Sequence, residues 1–193
     1  MKDRLVVIDV ETGGLDPTHH SILTLGAAVV DYAGAILNRF YVPIREAVVS
    51  VQAEALGING LTLQQIEAEG VPVTEAVAMF RGWLVSNDLT KNVTLVGHHV
   101  AFDRAFVRRL FRLAKEEALF DETFSHRMIC TQSAAGLLDQ AGVIRLSGST
   151  SLDSVCAHFG IELDRKNGHH AFSDVVATAQ VFQCLMRRCR EGL

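Results

Sequence analysis

The spacing of apolar residues changes rhythm several times along the chain, and each change predicts an element. Leu5-Val6-Val7-Ile8 is an unbroken apolar run that ends at Asp9. So short a run, with no polar alternation, predicts a strand covered on both faces. Residues 22–32 are rich in Val, Leu and Ala, Ala33-Gly34 offers turn chemistry, and 36–42 is apolar again. That pattern predicts an antiparallel hairpin beside the first strand. From Val51 to Asn87 the spacing is helical, with Val77, Phe80, Trp83 and Leu84 recurring and Pro72 suited to a helix entry. Val93 to Val96 predicts a second short buried strand, closed by Gly97.

Two later helices carry clear stripes. In the first, Phe102, Phe106, Leu110 and Leu113 share one face, and Arg104, Arg108, Arg112 and Lys115 the other. In the last, Phe172, Val175, Val176, Ala179, Phe182 and Met186 form an apolar stripe running to Arg187-Arg188, cations that suit a helix C-terminus. A meander followed by alternating strands and helices predicts an α/β domain with a mixed β-sheet flanked by α-helices.

Composition narrows the picture. The 193 residues fit one domain spanning 1–193, with no Pro/Gly/Ser-rich linker to divide it. At 49% hydrophobic and 21% charged, the chain has the apolar material that a disordered protein lacks. No apolar run approaches the ~20 residues of a membrane span. The four apolar residues before Asp9 fall short of the roughly 7–15 of a secretory signal. Cys130, Cys156, Cys184 and Cys189 are scattered, without close zinc-binding pairs, which predicts free thiols and a cytoplasmic setting with no membrane partner. The net charge of −4 excludes a protein that coats nucleic acid by charge alone. It does not exclude an enzyme that grips a strand end.

The chemistry begins where the first strand stops. In Asp9-Val10-Glu11-Thr12-Gly13-Gly14-Leu15-Asp16-Pro17, Asp9 and Glu11 are two apart and leave one face of the strand. No Lys or Arg occurs between Arg4 and Arg39 to neutralise them. Two carboxylates sharing a partly buried place repel until a proton or a cation intervenes, and an all-oxygen donor set suits Mg²⁺ or Mn²⁺ better than zinc. The segment reads equally as an ordinary Asp/Gly turn after a strand. Two further acids, Asp103 in GHHVAFD and Asp174 in NGHHAFSD, each fall in the first turn of a helix, with His169 on the loop before the second. Such acids at element ends converge at one edge of an α/β sheet.

The three stretches, in this order, resemble the DEDD-type 3′–5′ exonucleases of the histidine subtype, the family of the DNA polymerase III epsilon proofreading subunit and of RNase T-like enzymes. ILTLGAAVVD, ALGINGLTLQQI and SLDSVCAHFGI extend the likeness through most of the chain. The resemblance implies an RNase H-like sheet and hydrolysis of nucleic acid from its 3′ end to 5′-mononucleotides. DNA is favoured, with an exoribonuclease of RNA turnover or maturation as the alternative. It implies two divalent ions, Mg²⁺ or Mn²⁺. Asp9 would bridge them, Glu11 and Asp174 would complete one site, and Asp103 would serve the other. His169 would be the general base, a role that imidazole suits because a free histidine side chain titrates at ~6.5, near neutrality. Thr12, Gly13, Leu15, His98 and Phe102 would line the slot for the terminal nucleotide. The implied partners are a single-stranded 3′ end of DNA or RNA and a DNA polymerase, with proofreading, replication and repair as pathways. Monomer and homodimer stay open.

The chain departs from the family pattern at His99, where Asn is usual, and at Thr24, where an acid or amide is common. His170 occupies the position of the base in a tyrosine-bearing sister group. Two other readings compete: a phosphatase with Asp9 as nucleophile, which needs a later catalytic lysine such as Lys166, and a non-catalytic nucleic-acid-binding relic. A relic has no use for unpaired carboxylates.

Overall fold

A computed structural model of the chain describes residues 5–163, 165 and 169–191. Three strands come first, β1 (Leu5–Thr12), β2 (Ile22–Val30) and β3 (Ile36–Arg45). Next come α1 (Ala53–Asn59), α2 (Leu63–Glu69), the two-residue β4 (Val71–Pro72) and α3 (Val73–Ser86). The second half runs β5 (Val93–Gly97), α4 (Val100–Leu113), α5 (Glu117–Thr123), β6 (Phe124–Cys130), α6 (Thr131–Gln140), α7 (Leu152–Phe159) and α8 (Ala171–Glu191). The strands form one six-stranded sheet in the order β4-β3-β2-β1-β5-β6. β1–β2 and β2–β3 are antiparallel, while β1–β5 and β5–β6 are parallel. The sheet is mixed, as the hydrophobic pattern predicts, and flanked by helices.

Alternation along β1 sorts the two layers. Val6, Ile8 and Val10 enter a core with Ala76, Val77 and Phe80 of α3, Phe106 and Phe111 of α4, and Phe120 of α5. Leu5 and Val7 face the other way, against Val175, Ala179 and Phe182 of α8. Continuing that second row by twos brings Asp9 and then Glu11 onto the α8 side. The strand runs past the apolar segment to Thr12, so both acids lie within β1 and not after it.

The helical stretch 51–87 is broken where its glycines and proline dictate. Gly60 closes α1 in the left-handed conformation (φ 67°), and Thr62 and Gln65 start α2 with a reciprocal capping box. Pro72 then stands as the N-cap of α3. On α4 the buried stripe is Val100, Asp103, Phe106, Val107, Leu110 and Phe111. It is rotated from the expected one, with Phe102 only partly buried and Leu113 exposed. The rotation follows from packing on two sides, since Phe111 meets the rings of Phe80, Phe120 and Phe124. Part of the basic face is engaged by the next helix. Arg108 pairs with Asp121 at 2.8 Å and Arg104 lies over the Phe120 ring at 5.2 Å, both on α5.

Candidate active site

The parallel strands β1 and β5 end at the same edge of the sheet, but β1 is longer there. Their pairing stops at Val7↔Val96, and β5 turns away at Gly97. His99 makes that turn in the left-handed region (φ 75°), a conformation in which Asn and His are enriched. This accounts for the tolerance of His where Asn is usual. The turn delivers Asp103 in the first turn of α4, and its carboxylate accepts the Val10 N–H at 3.1 Å, beyond the last β1–β5 pair. Asp103 therefore arrives from the opposite layer, over the sheet edge.

Asp174 arrives from the α8 layer, and a glycine lets it. Gly26 pairs with Asp9 across the β1–β2 ladder. A Cβ on Gly26 would stand 2.6 Å from the Ala171 carbonyl oxygen at the start of α8. The missing side chain is what allows the helix start to lie on the sheet beside Asp9. An isolated glycine in an apolar strand is a signal of such close approach. Ligand oxygens of Asp9, Glu11 and Asp174 all lie within 4.8 Å of one another. Three of the four acids singled out in the sequence thus converge tightly, and the fourth is tied to the backbone between two of them.

The electrostatics follow from that crowding. Burial pushes Glu11 up to about 8, with the charge of Asp174 adding to the shift and Arg165 opposing it. Burial likewise drives Asp103 up to about 8. Asp9 rises well above the carboxylate range through burial first, then repulsion from Asp103, Glu11 and Asp174. Groups so placed bind protons or cations in preference to standing ionised alone. The donor set is entirely carboxylate oxygen, which fits a hard divalent ion. Thr24, opposite Glu11 on β2, has a buried hydroxyl with no hydrogen-bond partner among the described residues.

His169 is fixed at two points. Its N–H donates to the Ile58 carbonyl at 3.0 Å, and Nδ1 lies 3.1 Å from Asp174 Oδ2. Asn59, next along α1, donates to the Thr12 carbonyl at 3.3 Å. The C-terminal end of α1 therefore pins both β1 and the loop before α8. His170 instead stacks on Tyr41 with ring centroids 5.0 Å apart. Asn167 and Gly168 of the third motif, and Lys166 of the phosphatase reading, lie outside the described residues.

The other expected site residues divide by what holds them. Leu15 is 81% exposed on the loop after β1, and Phe102 is partly buried against Phe106. Thr12 donates its hydroxyl to the Gly14 carbonyl at 2.8 Å. The Gly13 N–H is committed to the Ser21 carbonyl at 2.8 Å, and Ser50 and Val51 fill the space a Cβ would need. The room left by that glycine thus serves chain packing, not the approach of a substrate to its amide. Both ring nitrogens of His98 are engaged, by the Thr131 hydroxyl at 3.0 Å and the Thr150 carbonyl at 2.8 Å.

Sequence reasoning missed Arg165. Its Nη1 lies 2.5 Å from Asp174 Oδ1, while Nε and Nη2 hold Asp153 of α7 at 3.1 and 3.2 Å. An arginine four residues before His169, outside any periodic stretch of the sequence, gives no signal to read. It neutralises one acid and leaves the other three without a guanidinium of their own among the described residues.

A family model described as Exonuclease (RNase_T) matches residues 6–182. The chain belongs to this exonuclease family, and so to the 3′–5′ exonuclease class of hydrolases. Ribonuclease T of Haemophilus ducreyi is 28% identical over 197 residues, covering 96% of this chain and 86% of that protein. The 3′–5′ DNA exonuclease Cap18 of Escherichia coli is 30% identical over 115 residues, 58% of this chain and 59% of that protein. Among solved structures, Escherichia coli Exonuclease I in complex with a dT13 oligonucleotide superposes with a TM-score of 0.82 at 18% identity. That match covers 98% of this chain and 42% of the other, so the chain spans about two fifths of the Exonuclease I chain. It shares the fold of that enzyme. Among the described residues no helix is long and apolar enough to cross a membrane.

Proposed function

We propose that this chain, as a single exonuclease domain, removes 5′-mononucleotides from single-stranded 3′ ends of nucleic acid. Asp9, Glu11, Asp103 and Asp174 would hold two divalent cations, Mg²⁺ or Mn²⁺. The observation that carries this reading is the convergence of Asp9, Glu11 and Asp174 within 4.8 Å, with few counter-charges and raised carboxyl pKa values. A bound pair of divalent ions supplies Lewis-acid activation and charge neutralisation for in-line displacement at phosphorus.

The chain's own residues do the rest. Asp174 Oδ2 orients the His169 ring through Nδ1, which leaves Nε2 to accept a proton from the attacking water. Leu15 and Phe102 keep surface for the terminal nucleotide. Thr12, Gly13 and His98 act by fixing the loop and the helix start on which those two sit. DNA is the favoured substrate on the motif resemblance to proofreading subunits, and Cap18 supports it. The Ribonuclease T relative, alike over almost the whole chain, supports the exoribonuclease reading. A DNA polymerase as partner rests on the motif resemblance alone. Four free cysteines favour a cytoplasmic setting.

The deciding experiment is a side-by-side digestion of labelled single-stranded DNA, duplex DNA and RNA with product sizing. Stepwise shortening from the 3′ end with Mg²⁺ or Mn²⁺, abolished by Asp9→Ala, is expected. Release of inorganic phosphate alone, or full activity in chelator, would overturn the proposal. The ratio of the DNA and RNA rates separates the two substrate readings.

A further inference from the structure

We infer that Arg165 is a built-in counter-ion, which holds Asp174 in the metal-free protein and yields it to an incoming divalent cation while staying on Asp153. The inference rests on the metal-dependent reading above and concerns how the chain itself prepares the site.

Both oxygens of Asp174 are in use within the protein. Oδ1 takes Nη1 of Arg165 at 2.5 Å, and Oδ2 takes His169 Nδ1 at 3.1 Å. A cation sharing Asp174 with Asp9 and Glu11 would stand beside the guanidinium, and two positive charges on one carboxylate repel. One of them must withdraw. Arg165 can withdraw without losing its charge partner, because its other edge is already seated on both oxygens of Asp153, at 3.1 and 3.2 Å. A guanidinium offers five N–H donors in a planar fork, so one arginine can serve two acids and release either one.

The charge distribution points the same way. Arg165 is the cation that opposes the raised pKa of both Asp9 and Glu11, so from its contact with Asp174 its influence reaches the two acids grouped with it. The side chain of Asp174 is buried, at 4% exposure, and that of Arg165 is largely covered, at 22%. The Asp153 side chain, at 52%, is open to water. An arginine meant only to tether α7 to the chain before α8 would need Asp153 alone. Reaching on to a buried acid of the cluster is explained by compensation of that acid when no other cation is there.

The test needs no substrate and no turnover. Cation-free full-length protein is titrated with Mn²⁺, and free Mn²⁺ is counted by electron paramagnetic resonance. Arg165→Gln is expected to tighten Mn²⁺ binding by about tenfold or more, since a competing charge is gone. Arg165→Lys keeps the charge but cannot bridge both acids with one fork, and is expected to tighten binding by a smaller factor. In wild-type protein, the ¹⁵N-detected guanidinium signals of Arg165, assigned by their loss in Arg165→Lys, should shift as Mg²⁺ is added. Unchanged or weaker Mn²⁺ affinity in Arg165→Gln would overturn the inference, as would guanidinium signals that stay put at saturating Mg²⁺. If wild-type protein and both variants fail to bind Mn²⁺ at all, the metal-dependent reading itself falls. Binding by the wild type with no gain in either variant removes the Arg165 role alone.

Discussion

Replacing Gly26 with Ala tests the geometry at its narrowest point. The added methyl would meet the Ala171 carbonyl oxygen at 2.6 Å and its carbon at 2.8 Å. Both are backbone atoms at the start of a 21-residue helix, so no side-chain rotation relieves the overlap. To restore ordinary contact near ~3.4 Å, the start of α8 must lift by about 0.8 Å. Asp174 and His169 move with it, away from Asp9 and Glu11 on β1. Overpacking of this kind costs roughly 1–3 kcal/mol of stability. A displacement approaching 1 Å at a reacting centre costs on the order of 10²-fold in rate. The assay is single-turnover digestion of a labelled strand, beside a urea melt. Gly57→Ala is the control, because nothing lies within 4 Å of a Cβ at that helical position. The expected result is a folded Gly26→Ala protein with turnover down about a hundredfold, and a Gly57→Ala protein with normal turnover. Wild-type turnover in folded Gly26→Ala would show that the approach of α8 to β2 does not set the site, and the reasoning would fail.

Three further predictions follow from the same contacts. Glu11 and Asp103 sit at about 8 in the fold, against ~4.3 and ~3.9 unfolded, and Asp9 is raised with them. Folded metal-free protein therefore binds more protons than unfolded chain between about pH 4 and 8. Its stability is highest at the acid end of that window and falls as pH rises. Melts in chelator should show a declining Tm from pH 5 to 8 that Mg²⁺ flattens, and a rising profile in chelator would contradict the assignment. His169→Ala should cut turnover by ~10²–10⁴ while strand binding persists, whereas His170→Ala should change turnover only a few-fold. The reverse ranking would move the base to His170. Glu46 receives a two-pronged bond from Arg109, a hydrogen bond from the Ser21 hydroxyl and another from the Ile22 N–H. With side chains only 5% and 10% exposed, Glu46→Ala should cost roughly 3–5 kcal/mol in a urea melt. A loss under about 1 kcal/mol would mean that water replaces the pair.

The sequence by itself determined which residues could carry chemistry. A strand covered on both faces leaves little choice of residue type, so Asp9 and Glu11 stand out against Leu5 to Ile8, and their two-residue spacing puts them on one face. Asp103 and Asp174 announce themselves at helix starts, where the dipole favours acids. The β2–β3 hairpin is equally local, with Asp31 accepting from the Ala33 and Ala35 N–H groups to close the turn.

Local pattern could not decide the rest, because each case depends on atoms far apart in the chain. The burial stripe of α4 turned away from its expected face because α5 and the sheet both claim the helix. Gly13 packs against Ser50 and Val51 and Gly26 admits α8, and in neither case does the neighbouring sequence name the partner. Ile58 and Asn59 reach the site only because α1 ends beside it. Arg165, from a segment with no periodicity, became the counter-charge of Asp174. Spacing of two or four residues fixes a face, and faces are legible along a chain. Which faces meet, and at what distance, is set by packing among all the elements at once, and that belongs to the tertiary structure.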